Sequence, residues 1–185
     1  MNIGISGAKG SFSEQAAGVY TERKHIKHWS PEYLVSVESV LAALDQNKID
    51  LGIFPIENSN GGIVIEAVHA MAKHTFSIQH IFEIDVHHCL LVQKGVAASS
   101  ISTVTSHDQA LKQCRMYLKR RWNGTALQEY PDTAQAAKDL AKDTLPATTA
   151  VIAPKRCADI YNLDVLEESI QDLKFNFTTF IAAKK

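Results

Sequence analysis

A chain of 185 residues with 45 % hydrophobic side chains is long enough for one domain, or two small lobes, with a buried core. Its net charge of −1 argues against nucleic acid or an anionic membrane as partner, and no apolar run approaches the length of a membrane span. Three widely spaced cysteines, Cys89, Cys114 and Cys157, form no CxxC pair and are odd in number, which points to reduced thiols in a cytoplasmic compartment. The N-terminus enters a strand directly, without a charged-then-apolar leader, so a soluble cytoplasmic protein is expected.

Residues 3–6 read as a short strand. They lead into Gly7-Ala8-Lys9-Gly10-Ser11-Phe12-Ser13-Glu14, where Ser11 and Glu14 have the S-x-x-E spacing of a capping box. A helix is predicted to begin here and run to about residue 23. Its N-terminus carries unpaired N–H groups and partial positive charge, which suit a carboxylate or phosphate. A capped surface helix accounts for the same residues. The glycine spacing is neither G-x-G-x-x-G nor a P-loop, so nucleotide binding is not favoured.

A second strand is expected at residues 33–37, a helix capped by Ser36 or Ser39 at 40–46, and a third strand at 50–54. This rhythm predicts a mainly parallel sheet. The third strand should stop at Pro55, which has no N–H to give the ladder. Glu57, Asn58 and Ser59 then offer an acid, an amide and a hydroxyl, and Gly61 and Gly62 permit close approach of backbone to a ligand. A strand, a polar loop and a helix in that order mark where open α/β sheets bind ligands. An ordinary turn uses the same residue types. The following helix is expected at 63–73.

From residue 76 the pattern changes. Two extended segments, 77–84 and 86–92, lead toward a second lobe. Three strand–helix units follow: 102–105 with 109–121, capped by Ser106; 125–129 with 133–141, capped by Asp132; and 149–153 with 154–161. The basic cluster Lys112, Arg115, Lys119, Arg120 and Arg121 falls along the first of these helices and reads as a solvated face. An extended segment at 165–169 and a polar stretch at 172–176 precede a final strand at 177–182.

The eight histidines show no zinc spacing, and His87-His88-Cys89 lies in a strand where neighbours face opposite ways, so no metal is expected. Cys114 lies inside a predicted helix and reads as buried, not nucleophilic. What remains is a set of polar segments at strand ends: Ser11 to Gln15, Glu57 to Asn60, Ser106 to Gln109 and Asn176 to Thr179. They offer hydroxyls, amides and helix N-termini, which suit a cleft that holds a small anion by oriented dipoles.

Taken together, these segments resemble a known family. Gly7-x-x-Gly10-Ser11-Phe12-Ser13-Glu14-Gln15-Ala16-Ala17 is similar to the opening signature of prephenate dehydratases, and Pro55-Ile56-Glu57-Asn58-Ser59-x-Gly61-Gly62 to their second. Ser106-His107-x-Gln109-Ala110-Leu111-x-Gln113-Cys114 resembles the third. Asp132-Thr133-Ala134-x-Ala136-Ala137 and Ile170-Gln171-Asp172 follow in order, and Asn176-Phe177-Thr178-Thr179-Phe180 resembles the N-x-T-R-F ending. The resemblance covers nearly the whole chain.

It implies two α/β lobes around a cleft, like a type II periplasmic binding protein, with lobe 1 at residues 1–76 plus 162–185 and lobe 2 at 77–161. It implies a hydro-lyase that converts prephenate to phenylpyruvate with loss of water and carbon dioxide in phenylalanine biosynthesis, without cofactor or metal. Thr178 would stand beside the leaving hydroxyl. Asn58, Ser106 and Gln113 would position substrate, and Glu57 would orient those groups or relay a proton. Ser11, Phe12, Ser13, Ser59, Gln109, Thr179 and Phe180 would complete the substrate-binding set. The family often forms homodimers. Two departures stand out. Thr179 replaces the family's arginine, a natural carboxylate clamp. The chain also ends at Lys185, without the C-terminal phenylalanine-sensing domain of many members, so that mode of feedback is expected to be lacking. A prephenate decarboxylase, or a small-anion binder that has lost the reaction, is the alternative reading.

Overall fold

The computed structural model describes residues 1–185, which form two α/β units: Met1–Asp85 with Phe177–Lys185, and Val86–Asn176. The division falls later in the chain than the sequence suggested. The segment after residue 76 pairs within the first sheet, and the segment after Tyr161 pairs within the second.

In unit 1, β1 (Asn2–Ile5) leads to α1 (Phe12–Arg23), β2 (Ser30–Tyr33), α2 (Val37–Asp45), β3 (Leu51–Asn58), the short β4 (Gly62–Ile63), α3 (Ile65–Met71) and β5 (Ser77–Asp85). The chain's last strand, β11 (Phe177–Lys184), returns to complete the sheet, in the order β2-β1-β3-β11-β5 with β4 on β3. Only β2, β1 and β3 are parallel; β11 runs antiparallel to both β3 and β5. The mainly parallel sheet expected from the βαβ rhythm is therefore mixed, because the returning strand inserts antiparallel between β3 and the edge strand β5.

The capping box forms with a small shift. Ser11 Oγ accepts from Glu14 N at 3.3 Å, while the Glu14 carboxylate reaches back to Gly10 N at 2.6 Å. Gly10 sits at φ 94°, a conformation that a side chain would strain. One face of the sheet buries Val40, Leu41 and Leu44 of α2 against Phe54 and Ile181. Fully buried side chains of this size contribute about 1.5–3 kcal/mol each. Gly52 permits the contact, since a Cβ there would lie 2.6 Å from Val40 Cγ1. The opposite face carries Tyr20 of α1 on Phe82, with ring centroids 5.7 Å apart.

β3 does not stop at Pro55 but continues to Asn58. Its pairing with β1 has ended at Ile53, so Pro55 has no partner to disappoint on that side, and the register toward β11 shifts at Thr179/Phe180. The expected polar loop is thus largely the end of a strand. The strand expected at 33–37 lies earlier, at Ser30–Tyr33, because Ser36 already caps α2 by accepting from Ser39 N at 3.1 Å.

In unit 2, β6 (His88–Val92), β7 (Thr103–Ser106), β8 (Ala126–Glu129), β9 (Thr149–Pro154) and β10 (Asp164–Glu167) make a second mixed sheet in the order β10-β6-β9-β7-β8. Every residue of β6 and β9 is buried, as befits strands covered on both faces. Helices α6 (Thr133–Ala141) and α7 (Arg156–Tyr161) follow their strands, and Asp132 caps α6 by accepting from Gln135 N at 2.7 Å. The single helix expected at 109–121 is two, α4 (Asp108–Gln113) and α5 (Arg115–Arg121), and His107, not Ser106, caps the first. The break has a cause outside the helix. The Asp172 carboxylate accepts from Met116 N at 2.7 Å and Tyr117 N at 2.8 Å, and Asp172 N donates to Gln113 O at 2.8 Å. One residue thus takes over bonds that a continuous helix would make internally.

Candidate functional site

The register of unit 1 sets Thr178 opposite Asn58, and the two side chains meet. Asn58 Nδ2 donates to Thr178 Oγ1 at 2.9 Å and to Phe177 O at 3.1 Å. Its Oδ1 accepts from Asn60 N at 2.9 Å and Gly61 N at 2.7 Å. Four bonds therefore fix both the position of the Asn58 amide and the assignment of its nitrogen and oxygen. Thr178 receives a hydrogen bond, and its own hydroxyl proton has no acceptor within the protein. It is 9 % exposed, so that proton is presented from a nearly buried oxygen. A donor aimed at a hydroxyl oxygen polarises the O–H and stabilises the alkoxide left when the proton departs.

The other expected residues of unit 1 divide clearly. Ser59 Oγ accepts from Phe177 N at 3.0 Å and Ser59 N donates to Phe177 O at 2.8 Å, so Ser59 closes the strand end. Glu57 is exposed and pairs with Thr179 across the strands. Successive strand residues face opposite ways, which separates Glu57 and Thr179 from Asn58 and Thr178. Thr179 Oγ1 donates to Glu83 Oε1 at 3.4 Å. Phe180 is 1 % exposed and packs on Phe82 at 6.1 Å between centroids, which makes it a core residue and not a substrate contact. Ser11 is spent on its cap, and Ser13 Oγ donates to Ser6 O at 2.9 Å. Phe12 is half-buried at the start of α1. Glu14 also accepts from Tyr33 Oη at 2.8 Å, so the helix N-terminus already has a carboxylate of its own.

In unit 2 the side chains brought together are Gln113, His88 and Asn176, all buried. Asn176 Nδ2 donates to Val86 O at 3.0 Å, which identifies it as the amide nitrogen. It also donates to Gln113 Oε1 at 2.9 Å, and His88 Nε2 lies 2.7 Å from the same oxygen. Burial holds His88 down to about 4, against its hydrogen bond to Gln113 that opposes the shift, so the ring is neutral. The Gln113 Nε2 group has no acceptor in the protein, yet it is not among the buried unsatisfied atoms and so reaches solvent. Ser106 is fully buried and donates to Ile152 O at 2.6 Å, an internal bond that holds β7 to β9. Gln109 N is taken by His107 Nδ1 at 3.2 Å, while Gln109 Oε1 is buried without a partner.

Sequence reasoning missed His88, dismissed with its neighbours as a failed metal site. It also left Asn176 as one polar loop residue. Asn176 enters the unit 2 network, and Thr178, two residues on, enters the unit 1 pair. No group of three His, Cys, Asp or Glu side chains is placed to hold a metal ion. The arrangement offers donors: a polarised hydroxyl in unit 1 and a fixed carboxamide in unit 2.

Comparison with known proteins identifies the fold and the family. Among solved structures, a prephenate dehydratase from Arthrobacter aurescens in complex with L-Phe has a TM-score of 0.85 at 25% identity, covering 100% of this chain and 60% of that one. A putative methionine-binding lipoprotein of Bacillus subtilis shares the fold alone, with a TM-score of 0.56 at 11% identity over 100% of this chain and 83% of that one. The type II binding-protein architecture expected from the sequence is thereby matched. Arogenate dehydratase/prephenate dehydratase 6 of Arabidopsis thaliana, a chloroplastic protein, is 33% identical over 181 residues, 98% of this chain. The chain spans 42% of that relative's length. Residues 3–185 match the sequence pattern of prephenate dehydratases, and the chain belongs to that family.

Proposed function

We propose that the chain is a prephenate dehydratase, with Thr178 as the proton donor to the departing ring hydroxyl. The observation that carries this reading is the Asn58–Thr178 pair, in which the threonine accepts one bond and keeps its own proton for a ligand. In the reaction, the bond from the ring to its carboxylate breaks and carbon dioxide leaves. The electron pair moves into the ring, the ring becomes aromatic, and the C–O bond to the hydroxyl breaks. Thr178 passes its proton to that oxygen, which departs as water. Asn58 stabilises the resulting alkoxide until water returns a proton. Aromatisation supplies the driving force, and general acid help of this kind contributes typically about 10²–10⁴-fold.

Gln113 is proposed to hold a substrate oxygen through its outward N–H groups. Ser106 in unit 2, and Ser11, Ser13, Ser59 and Phe180 in unit 1, are assigned to the scaffold of their own units, since their polar or apolar groups are already engaged. Because relatives include arogenate dehydratases, arogenate is the competing substrate. The test is turnover of prephenate and arogenate by Thr178→Val and Thr178→Ser variants. Valine should lower kcat on the preferred substrate by about 10²–10⁴-fold with KM changed little, and serine should retain most activity. Unchanged kcat in the valine variant would remove Thr178 from the reaction.

Two further readings belong here. The three buried cysteines, none of them in a disulfide, support a reducing compartment such as the cytoplasm. A homodimer is supported by β5, an edge strand with Ile78 and Ile81 exposed. Antiparallel pairing of two copies would set Ser77 and Gln79 of one beside the acidic Glu83 and Asp85 of the other. Sedimentation of the native chain and of Ile81→Lys tests it; equal mass for both would contradict the edge as interface.

A further inference from the structure

We infer that His88 is a positioning residue for substrate binding: it acts through Gln113, fixing that carboxamide with its oxygen inward and its N–H groups outward. The inference rests on the proposed role of Gln113 as a substrate contact and adds a residue to it.

The hydrogen bonds start from a point that cannot be reversed. Val86 O is a backbone carbonyl and only accepts, so the Asn176 atom 3.0 Å away is the amide nitrogen. That nitrogen lies 2.9 Å from one atom of the Gln113 amide, which must then be the oxygen. His88 Nε2 lies 2.7 Å from the same oxygen and must carry its hydrogen. In the neutral ring this fixes the tautomer as Nε2–H. Both lone pairs of Gln113 Oε1 are thereby used, and the Nε2 group points where no protein acceptor stands.

The backbone on either side is held as well. Gln113 O accepts from Asp172 N at 2.8 Å, and His88 N donates to Gln171 Oε1 at 3.0 Å. Ile170 N donates to His88 O at 2.9 Å, and β6 and β9 place His88 opposite Pro154. The run Ile170-Gln171-Asp172 therefore clamps both His88 and Gln113. The imidazole so held is buried, and it decides which way the carboxamide faces. Without its N–H, the Gln113 oxygen keeps a single donor, and the outward-facing group is less firmly a donor.

The test uses two substitutions of similar size. In His88→Gln the terminal N–H2 stands near the position of Nε2, whereas in His88→Asn the shorter side chain cannot reach it. With the full chain and its preferred substrate, His88→Asn should raise KM about five- to tenfold, equivalent to loss of roughly one hydrogen bond, with kcat within about twofold. His88→Gln should stay near the native KM. In a Gln113→Leu background the His88→Asn change should have no further effect on KM. Equal KM for His88→Gln and His88→Asn, or additive losses with Gln113→Leu, would overturn the inference. A second readout does not depend on activity: ring ¹⁵N spectra should show His88 as Nε2–H. The Gln113 side-chain amide signals should shift in His88→Asn and stay in place in His88→Gln. A native chain inactive on both prephenate and arogenate would defeat the functional reading alone, and an Nδ1–H ring would defeat this one.

Discussion

At the scale of single residues, neighbouring threonines have different surroundings. Thr178 meets Asn58, while Thr179 lies with Glu57 and Glu83 on adjacent strands. The sequence comparison made Thr179 the troubling position, because the family's arginine would clamp a carboxylate of the substrate. The structure changes what an arginine would do here. Thr179→Arg is flanked by two carboxylates and should pair with them, and exposed pairs of that kind are worth about 0.2–1 kcal/mol. Its expected effect on KM for prephenate is under about threefold, measured by steady-state kinetics. A tenfold tighter KM would show that the position reaches substrate after all. The Asn58–Thr178 contact itself was not legible from spacing, since the residues lie 120 positions apart. Only the antiparallel register of β11 on β3 makes them neighbours.

At the scale of elements, three expected caps form from local residues, while His107 takes the place expected of Ser106. Ser11, Ser36 and Asp132 each satisfy a nearby amide, as their positions before helical stretches implied. The break between α4 and α5 was not legible, because its cause is Asp172, 56 residues from Met116. Asp172→Ala should remove this remote cap and destabilise unit 2 by about 0.5–2 kcal/mol, read from denaturant midpoints. No change in midpoint would mean that the helix closes over the gap and recovers its own bonds.

Helices α2 and α3 carry a pH-sensitive link of their own. His74, just past α3, sets Nε2 at 3.0 Å from Glu38 and Nδ1 on Asp45, with Lys73 also on Glu38 at 3.2 Å. Its hydrogen bonds to Asp45 and Glu38 raise its pKa above the ordinary 6.5. A raised pKa in the folded state stabilises the fold fully below the unfolded value, and that contribution is lost as pH rises through the folded one. Amide exchange in α2 and α3 should therefore quicken as pH rises above about 6.5, beyond its intrinsic base dependence. His74→Gln should remove that extra dependence. An unchanged profile in the variant would show that the link carries no stability.

For the whole molecule, the class of fold was legible from strand–helix alternation, and the details of pairing were not. Alternation reports which residues share a face, but not which strand inserts between which. So β11, whose aromatic and β-branched residues marked it as a strand, gave no sign that it would divide β3 from β5. The same insertion moved the boundary between units from residue 76 to Asp85, and it completes the Asn58–Thr178 pair. The candidate site was legible as a set of segments, because polar residues cluster where strands end. Its division into working groups and scaffold was not, since the bonds of Ser59, Ser106 and Phe177 are made with distant chain.

The proposed reaction is assigned to a chain that spans less than half the length of the Arabidopsis relative. The direct measurement is incubation of the purified 185-residue chain with prephenate at neutral pH, with products identified by mass and ultraviolet spectrum against an enzyme-free control. Phenylpyruvate is expected well above that control, formed in equal amount with carbon dioxide. A decarboxylated product that is still non-aromatic, or tight binding of prephenate without any product, would contradict the assignment.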